Sequence, residues 1–169
     1  MNHLEFEKSV LKRYKKFNVL NPDLNLLFID KSLENFFNIE IILKTFPNAR
    51  FLHTFRDPTD SVISIYQSML PELSWTHKIE DILDYIDNYK KIMNYFKEKY
   101  PQKIMDINLE NFTIESSVVG KKIYEFCGLK WNKKYLEFYK RKDLHSKTIS
   151  FNQIRKKILL YDNKKYKPY

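Results

Sequence analysis

The sequence predicts an α/β fold: a small parallel sheet flanked by helices. Three observations carry this reading. Short apolar runs alternate with amphipathic stretches between residues 26 and 107, and strands separated by helices argue for parallel pairing. Two of the runs end in charged pairs, Asp30-Lys31 and Arg56-Asp57. Ligands of parallel sheets bind beyond such carboxyl ends. Finally, 43% of the 169 residues are hydrophobic, with 13 Phe and 12 Tyr, so a packed core is affordable and wholesale disorder is excluded.

Residues 3–18 read as a helix, with Leu4, Val10, Leu11, Tyr14 and Phe17 roughly on one face and lysines opposite. Asn21-Pro22-Asp23 breaks it. The run Leu26–Ile29 reads as a first buried strand. A helix is expected from about Leu33 to Thr45, then punctuation at Pro47-Asn48 and a second strand over Arg50–Phe55. Both runs are apolar enough for central strands. Asp57 suits an N-cap and Pro58 a first helical position, for a helix through Ser64 and Tyr66 to about Met69. A loop follows around Pro71 and Trp75.

From Ile79 to about Tyr100, a 3.6-residue period in Ile82, Leu83, Ile86, Tyr89, Met93 and Phe96 predicts a long amphipathic helix, ended by Pro101. It lacks sustained heptads and reads as scaffold rather than coiled coil. Lys103–Ile107 reads as a third strand. Glu115–Phe126 reads as a helix closed by Cys127-Gly128, with Gly128 at its C-cap. Another helix is expected from Asn132 to about Arg141. Arg155, Ile158, Leu159 and Leu160 suggest one more short helix.

Charge is unevenly spread. Residues 121–169 carry a net charge of +11, and residues 1–120 carry −2, giving the chain's +9. A basic C-terminal third implies an anionic partner, unless its lysines form only a solvated surface. No apolar run approaches the ~20 residues of a membrane helix. Glu5, Glu7 and Lys8 do not suit a signal peptide, so a cytoplasmic location is expected. The lone Cys127 excludes an intrachain disulfide, and His3, His53, His77 and His145 are too scattered for a zinc site. Only Gly120 and Gly128 are glycines, so residues 1–119 contain no glycine-rich phosphate loop.

Arg56 and Ser64 stand eight residues apart, at a strand end and on the following helix. A guanidinium fork and a hydroxyl so placed can grip one phosphate. Helix-start amides add to this only if the anion sits beside them. The alternative for Arg56 is an ion pair with Asp57 or Asp60. His53, inside an apolar strand, reads as a core or strand histidine rather than a base. Glu110 reads as a turn cap rather than a catalytic acid. Trp75, Trp131, Tyr66 and Tyr166 read as core or interface before adenine-stacking groups, and Cys127 as packing. His145 has no identifiable partner.

The segment Phe46-Pro47-Asn48-Ala49-Arg50-Phe51-Leu52-His53-Thr54-Phe55-Arg56-Asp57-Pro58, with Asp60, Ser64 and Tyr66, resembles the 3′-phosphate-binding segment of sulfotransferases. The likeness is to the bacterial sulfotransferase-domain and protein-tyrosine-sulfotransferase-like branch. Asp30-Lys31 with Asn35, Ile104 through Glu110-Asn111-Phe112, and Phe126-Cys127-Gly128-Leu129 with Trp131 resemble further family segments. So do Thr148, Ser150, Gln153 and Arg155, and Tyr166 and Tyr169 in the tail. Together these cover roughly residues 26–169.

The resemblance implies a P-loop-NTPase-like sulfotransferase fold. It also implies 3′-phosphoadenosine 5′-phosphosulfate (PAPS) as co-substrate, an unidentified hydroxyl or amine acceptor, and no metal. In that reading Arg56 and Ser64 hold the donor's 3′-phosphate, and Arg155, aided by Lys156, closes over it. Lys31 reaches the sulfate-bridging side of the 5′-phosphate, and Ser150 stabilises the leaving phosphate. The chain would be one partial domain: an N-terminal helix over 1–22, an α/β core over 26–128, and a basic segment over 129–169 closing on the nucleotide.

The family's upstream 5′-phosphosulfate loop has no counterpart here. The chain is therefore expected to be N-terminally truncated, weakly active or inactive alone, and prone to self-association or to need a partner supplying that segment. The other classes considered are a non-catalytic nucleotide- or anion-binding remnant and a basic nucleic-acid-binding module. Against the last, the lysines are not interleaved with aromatics in a recognisable motif, so no nucleic-acid partner is expected.

Overall fold

The computed structural model describes residues 3–16, 27, 29–141 and 155–162. They group into two compact units: residues 1–49 with 89–103, and residues 50–88 with 104–169.

In the first unit, helix α1 spans His3–Lys16, with Glu5 in its first turn and Arg13, Lys15 and Lys16 in its last, signs that suit the helix dipole. The single helix expected over 33–45 is instead a 3-10 turn, Leu33–Asn38, followed by helix α2, Ile39–Thr45. Asn35, Phe36, Phe37 and Asn38 are poor α-formers, and Asn38 carries the non-helical joint (φ −110°, ψ 9°). Ser32 caps the turn, its hydroxyl accepting from the Glu34 amide at 3.4 Å. Phe36, Ile39, Met93 and Phe96 are buried in this unit, and Phe36 meets the Tyr89 ring edge-on at 5.1 Å. Lys99 donates to Glu40 at 3.3 Å and to the Tyr95 hydroxyl at 3.0 Å.

Only part of the first expected strand is described, since Leu26 and Phe28 lie outside the described residues. Leu27 and Ile29, the described residues of that run, lie outside regular structure and are 65% and 85% exposed. An apolar run becomes a strand only where its backbone groups find a ladder, and neither Leu27 nor Ile29 is in one among the described residues.

The second unit holds the sheet. Strand β1, Phe51–Phe55, pairs in parallel with strand β2, Ile104–Asn108, in the register Phe51↔Ile104 through Phe55↔Asn108. β1 has this one neighbour among the described residues, and Leu52 and Phe55 are 41% and 38% exposed. His53 sits opposite Asp106, Nδ1 to Oδ1 at 2.6 Å. A carboxylate only accepts, so the imidazole donates.

Helix α3, Pro58–Ser68, follows β1, and Met69 closes it in the left-handed region (φ 38°). A 3-10 turn, Ser74–His77, replaces the expected loop, with the Thr76 hydroxyl donating to the Leu73 carbonyl at 2.7 Å. Helix α4, Ile79–Lys99, runs from this unit into the first, and Ile82, Ile86, Met93 and Phe96 are its buried stripe, as the period requires.

After β2, the Asn108 side chain accepts from the Asn111 amide at 2.9 Å and starts a separate helix, α5, Leu109–Ile114. Helix α6, Ser116–Phe126, ends in a Schellman motif: Leu129 N donates to Tyr124 O at 2.8 Å and Gly128 N to Glu125 O at 3.0 Å. Gly128 has φ +71°, the conformation its lack of a Cβ permits. Residues 133–140 form a 3-10 run kinked at Glu137, in place of the expected helix. Residues 157–160 are irregular, so the last short helix is not formed across them.

Candidate functional site

Every described member of the 3′-phosphate candidate lies in the second unit. β1 delivers Arg56 to the mouth of α3. There Asp57 takes the N-cap conformation, and its Oδ1 accepts from the amides of Thr59 at 2.7 Å and Asp60 at 3.3 Å. The start of α3 is thus occupied by the chain's own carboxylate, which leaves side chains, not these amides, to meet an external anion.

Arg56 is half-buried and held by neutral acceptors. Its Nε donates to Ser61 Oγ at 3.2 Å and its Nη2 to the Asp60 carbonyl at 3.2 Å. Ser61 Oγ itself donates to the Asp57 carbonyl at 3.1 Å. No carboxylate pairs with Arg56 among the described residues, so the ion pair with Asp57 or Asp60 that the sequence left open does not form. Ser64 lies three and four residues beyond Ser61 and Asp60, on the same helical face. Its carbonyl accepts from Ser68 Oγ at 2.7 Å, and its hydroxyl has no hydrogen-bond partner among the described residues.

Asp60 is 9% exposed, and its carboxylate accepts a hydrogen bond from the Tyr161 phenol. Burial, reinforced by that bond, pushes the phenol up to about 12. Tyr161 is held a second time: its amide donates to Thr113 Oγ1 at 3.0 Å, and the same hydroxyl donates to the Glu110 carbonyl at 2.8 Å. Ser61, Thr113 and Tyr161 were not singled out by the sequence. Ser61 was within reach of it, one turn after the cap; Tyr161 meets Asp60 across 101 positions and has no local signal.

Of the other predicted residues, Lys31 is exposed and belongs to the first unit, directly before the Ser32 cap. Arg155 and Lys156 are exposed in the second unit. Ser150 lies outside the described residues, as do Thr148, Gln153, His145, Tyr166 and Tyr169.

The remaining candidates take structural positions. Trp75 stacks on Tyr85 at 3.9 Å and 4°. Trp131 packs on Gly120 and edge-on against the stacked pair Tyr124 and Tyr135. The Glu110 carbonyl braces Thr113. Arg50 donates to the Phe126 carbonyl and lies over the Phe126 ring. Cys127 is half-buried, and burial pushes its thiol up against the opposing pull of Arg50. Among the described residues no three His, Cys, Asp or Glu side chains cluster to hold a metal, and no helix is long and apolar enough to cross a membrane.

Comparison with known proteins places these observations in a family context. The model of the sulfotransferase family matches residues 4–133, an interval that contains Lys31, Arg56 and Ser64 and stops short of Ser150, Arg155 and Lys156. A protein of Aquifex aeolicus (strain VF5), named only as uncharacterized, is 29% identical over 178 residues. The alignment takes in 98% of this chain and 23% of the relative, so the chain spans about a quarter of that protein's length.

Proposed function

The chain belongs to the sulfotransferase family, and from that membership we propose that it moves a sulfuryl group from PAPS to a hydroxyl or amine acceptor. The observation that carries the reading is Arg56. Its guanidinium is fixed by a hydroxyl and a carbonyl, with no carboxylate partner among the described residues, beside a serine hydroxyl on the same helical face. That donor set fits a phosphate monoester, because a fork of N–H groups and one O–H match its oxygens.

In this reading Arg56 and Ser64 hold the 3′-phosphate through side chains, while Asp57 keeps the helix amides. Arg155 and Lys156 approach the same phosphate from the C-terminal segment. As sulfuryl transfer proceeds, the bond from sulfur to the leaving phosphate oxygen breaks while the acceptor–sulfur bond forms, and negative charge collects on that phosphate. Lys31 and Ser150 are the donors assigned to it, and donors aimed at developing charge lower the barrier most where they are pre-positioned.

Calorimetry with 3′-phosphoadenosine 5′-phosphate and with AMP tests the binding half. The wild type should prefer the former, and Arg56→Ala should erase the preference; equal affinities in the wild type would sink the proposal. A second reading is nucleotide binding without transfer, which the Arg56 and Ser64 half-site would equally serve. Transfer of labelled sulfate from PAPS to an acceptor by the purified chain, lost in Lys31→Ala and Ser150→Ala, would exclude it.

A further inference from the structure

The Arg56 turn carries one feature the donor reading leaves unused. Asp60 serves two partners at once: its carbonyl accepts from Arg56 Nη2 at 3.2 Å, and its nearly buried carboxylate accepts from Tyr161. A buried carboxylate is costly unless it is hydrogen-bonded, so the phenol does more than decorate the surface. The Tyr161 amide is tied separately to Thr113 at the end of α5. That bond is well formed: the Thr113 proton goes to Glu110 O, leaving a lone pair for the Tyr161 N–H. Two bonds from one residue, to two different elements, fix the strand of chain that carries Arg155 and Lys156. Arg155 stands six positions before Tyr161. Six extended steps reach only about 20 Å, so anchoring Tyr161 limits Arg155 to within about that distance of the Asp60 turn.

We propose that Tyr161 is a positioning residue whose phenol and amide latch residues 155–162 to the Asp60 turn and α5, delivering Arg155 to the phosphate held by Arg56. The delivery step rests on the donor reading above; the latch does not. Latch and anion then reinforce each other, since a segment already ordered need not be ordered again on binding.

Two measurements on the full chain test this. Amide hydrogen exchange without nucleotide reads the latch: Tyr161→Phe and Thr113→Val should each speed exchange over residues 157–162 by about tenfold, the worth of one such bond. Calorimetry reads the delivery. Tyr161→Phe should weaken 3′-phosphoadenosine 5′-phosphate by about fivefold and leave AMP unchanged, whereas a merely structural lesion would weaken both alike. Arg155→Ala should cost about tenfold in the wild type and under about twofold once Tyr161→Phe is present.

Unchanged exchange in both variants overturns the latch. Faster exchange with untouched nucleotide affinity overturns the delivery of Arg155. A wild type that does not distinguish the two nucleotides sinks the donor reading and the delivery with it, while faster exchange in Tyr161→Phe would still uphold the latch.

Discussion

Replacing Gly120 by Ala sets helix propensity against packing, and the geometry says which wins. Gly120 is buried in α6, where a Cβ would stand 2.6 Å from Trp131 Cη2 and 2.9 Å from Cζ3. Carbon atoms pack at about 3.5–4.0 Å, so the indole must retreat by roughly 1 Å. It is poorly free to do so: Tyr124 meets it edge-on at 5.2 Å and Tyr135 at 6.1 Å, and those two rings stack on each other at 4.9 Å. Ala gains about 1 kcal/mol over Gly in a helix interior. Overpacking costs about 1–3 kcal/mol, and disturbing an aromatic pair a further ~0.5–1.5 kcal/mol. The net expectation is a loss of about 1–2 kcal/mol, or roughly 2–8 °C in Tm for a chain of this size. Thermal melts followed by circular dichroism measure it. Emission of Trp131 in a Trp75→Phe background reports the displaced ring. Trp131→Phe in the same chain should relieve part of the penalty, so that the double variant loses less than the sum of the singles. A Gly120→Ala variant that melts higher than the wild type, as propensity alone demands, would refute the packing argument.

Arg56→Lys replaces the fork that reaches Ser61 and the Asp60 carbonyl by one ammonium; 3′-phosphoadenosine 5′-phosphate should bind at least about tenfold more weakly with AMP unaffected, and equal losses in calorimetry would contradict the assignment. Asp57→Asn keeps an oxygen for the Thr59 and Asp60 amides but removes a negative charge beside Arg56; phosphate-bearing ligands should bind about two- to fivefold tighter with stability within about 0.5 kcal/mol of the wild type, and weaker binding would be the contrary result. The Tyr161 phenol is raised from 10.0 to about 12, so its contribution to folding is complete below pH 10 and is lost as pH rises from 10 through 12. Absorbance at an alkaline tyrosinate band should show a late component that Tyr161→Phe diminishes, the rest belonging to Tyr124, whose phenol burial also raises. Burial pushes the Cys127 thiol up, so the native chain favours the neutral thiol and its reaction with thiol reagents at mildly alkaline pH should lag behind that of the denatured chain.

Much of the second unit was legible because its signals are local. The α4 stripe is a period, the Asp57–Pro58 start is a cap with a fixed neighbour, and the Gly128 stop is a backbone conformation few other residues adopt. Leu27 and Ile29 lie outside regular structure, because an apolar run does not name its partner strand. The Phe36-Phe37 stretch misled because hydrophobic spacing does not separate a 3-10 turn from an α-turn. In the site, Arg56 and Ser64 were readable from a strand–turn–helix order. Their supports were not: Tyr161 reaches Asp60 across 101 positions and Thr113 across 48, and a hydroxyl bond leaves no periodicity. His53 was read as a strand histidine, but only the register of β1 on β2 places Asp106 opposite it.

That register has a kinetic side. Each residue of β1 meets a partner 53 positions later, where an antiparallel hairpin would need only a handful. Bringing ends so distant together costs about 3.5 kcal/mol in loop entropy, beyond a constant, before the first ladder bond returns anything. Within that stretch the 21-residue α4 is built from near-neighbour contacts alone, and helices of such length form in about a microsecond. Once formed it is a rod of about 30 Å that replaces 21 flexible residues in the loop. The helix that carries no proposed chemistry is therefore the element that sets how quickly Arg56 and the end of β2 are brought into one unit.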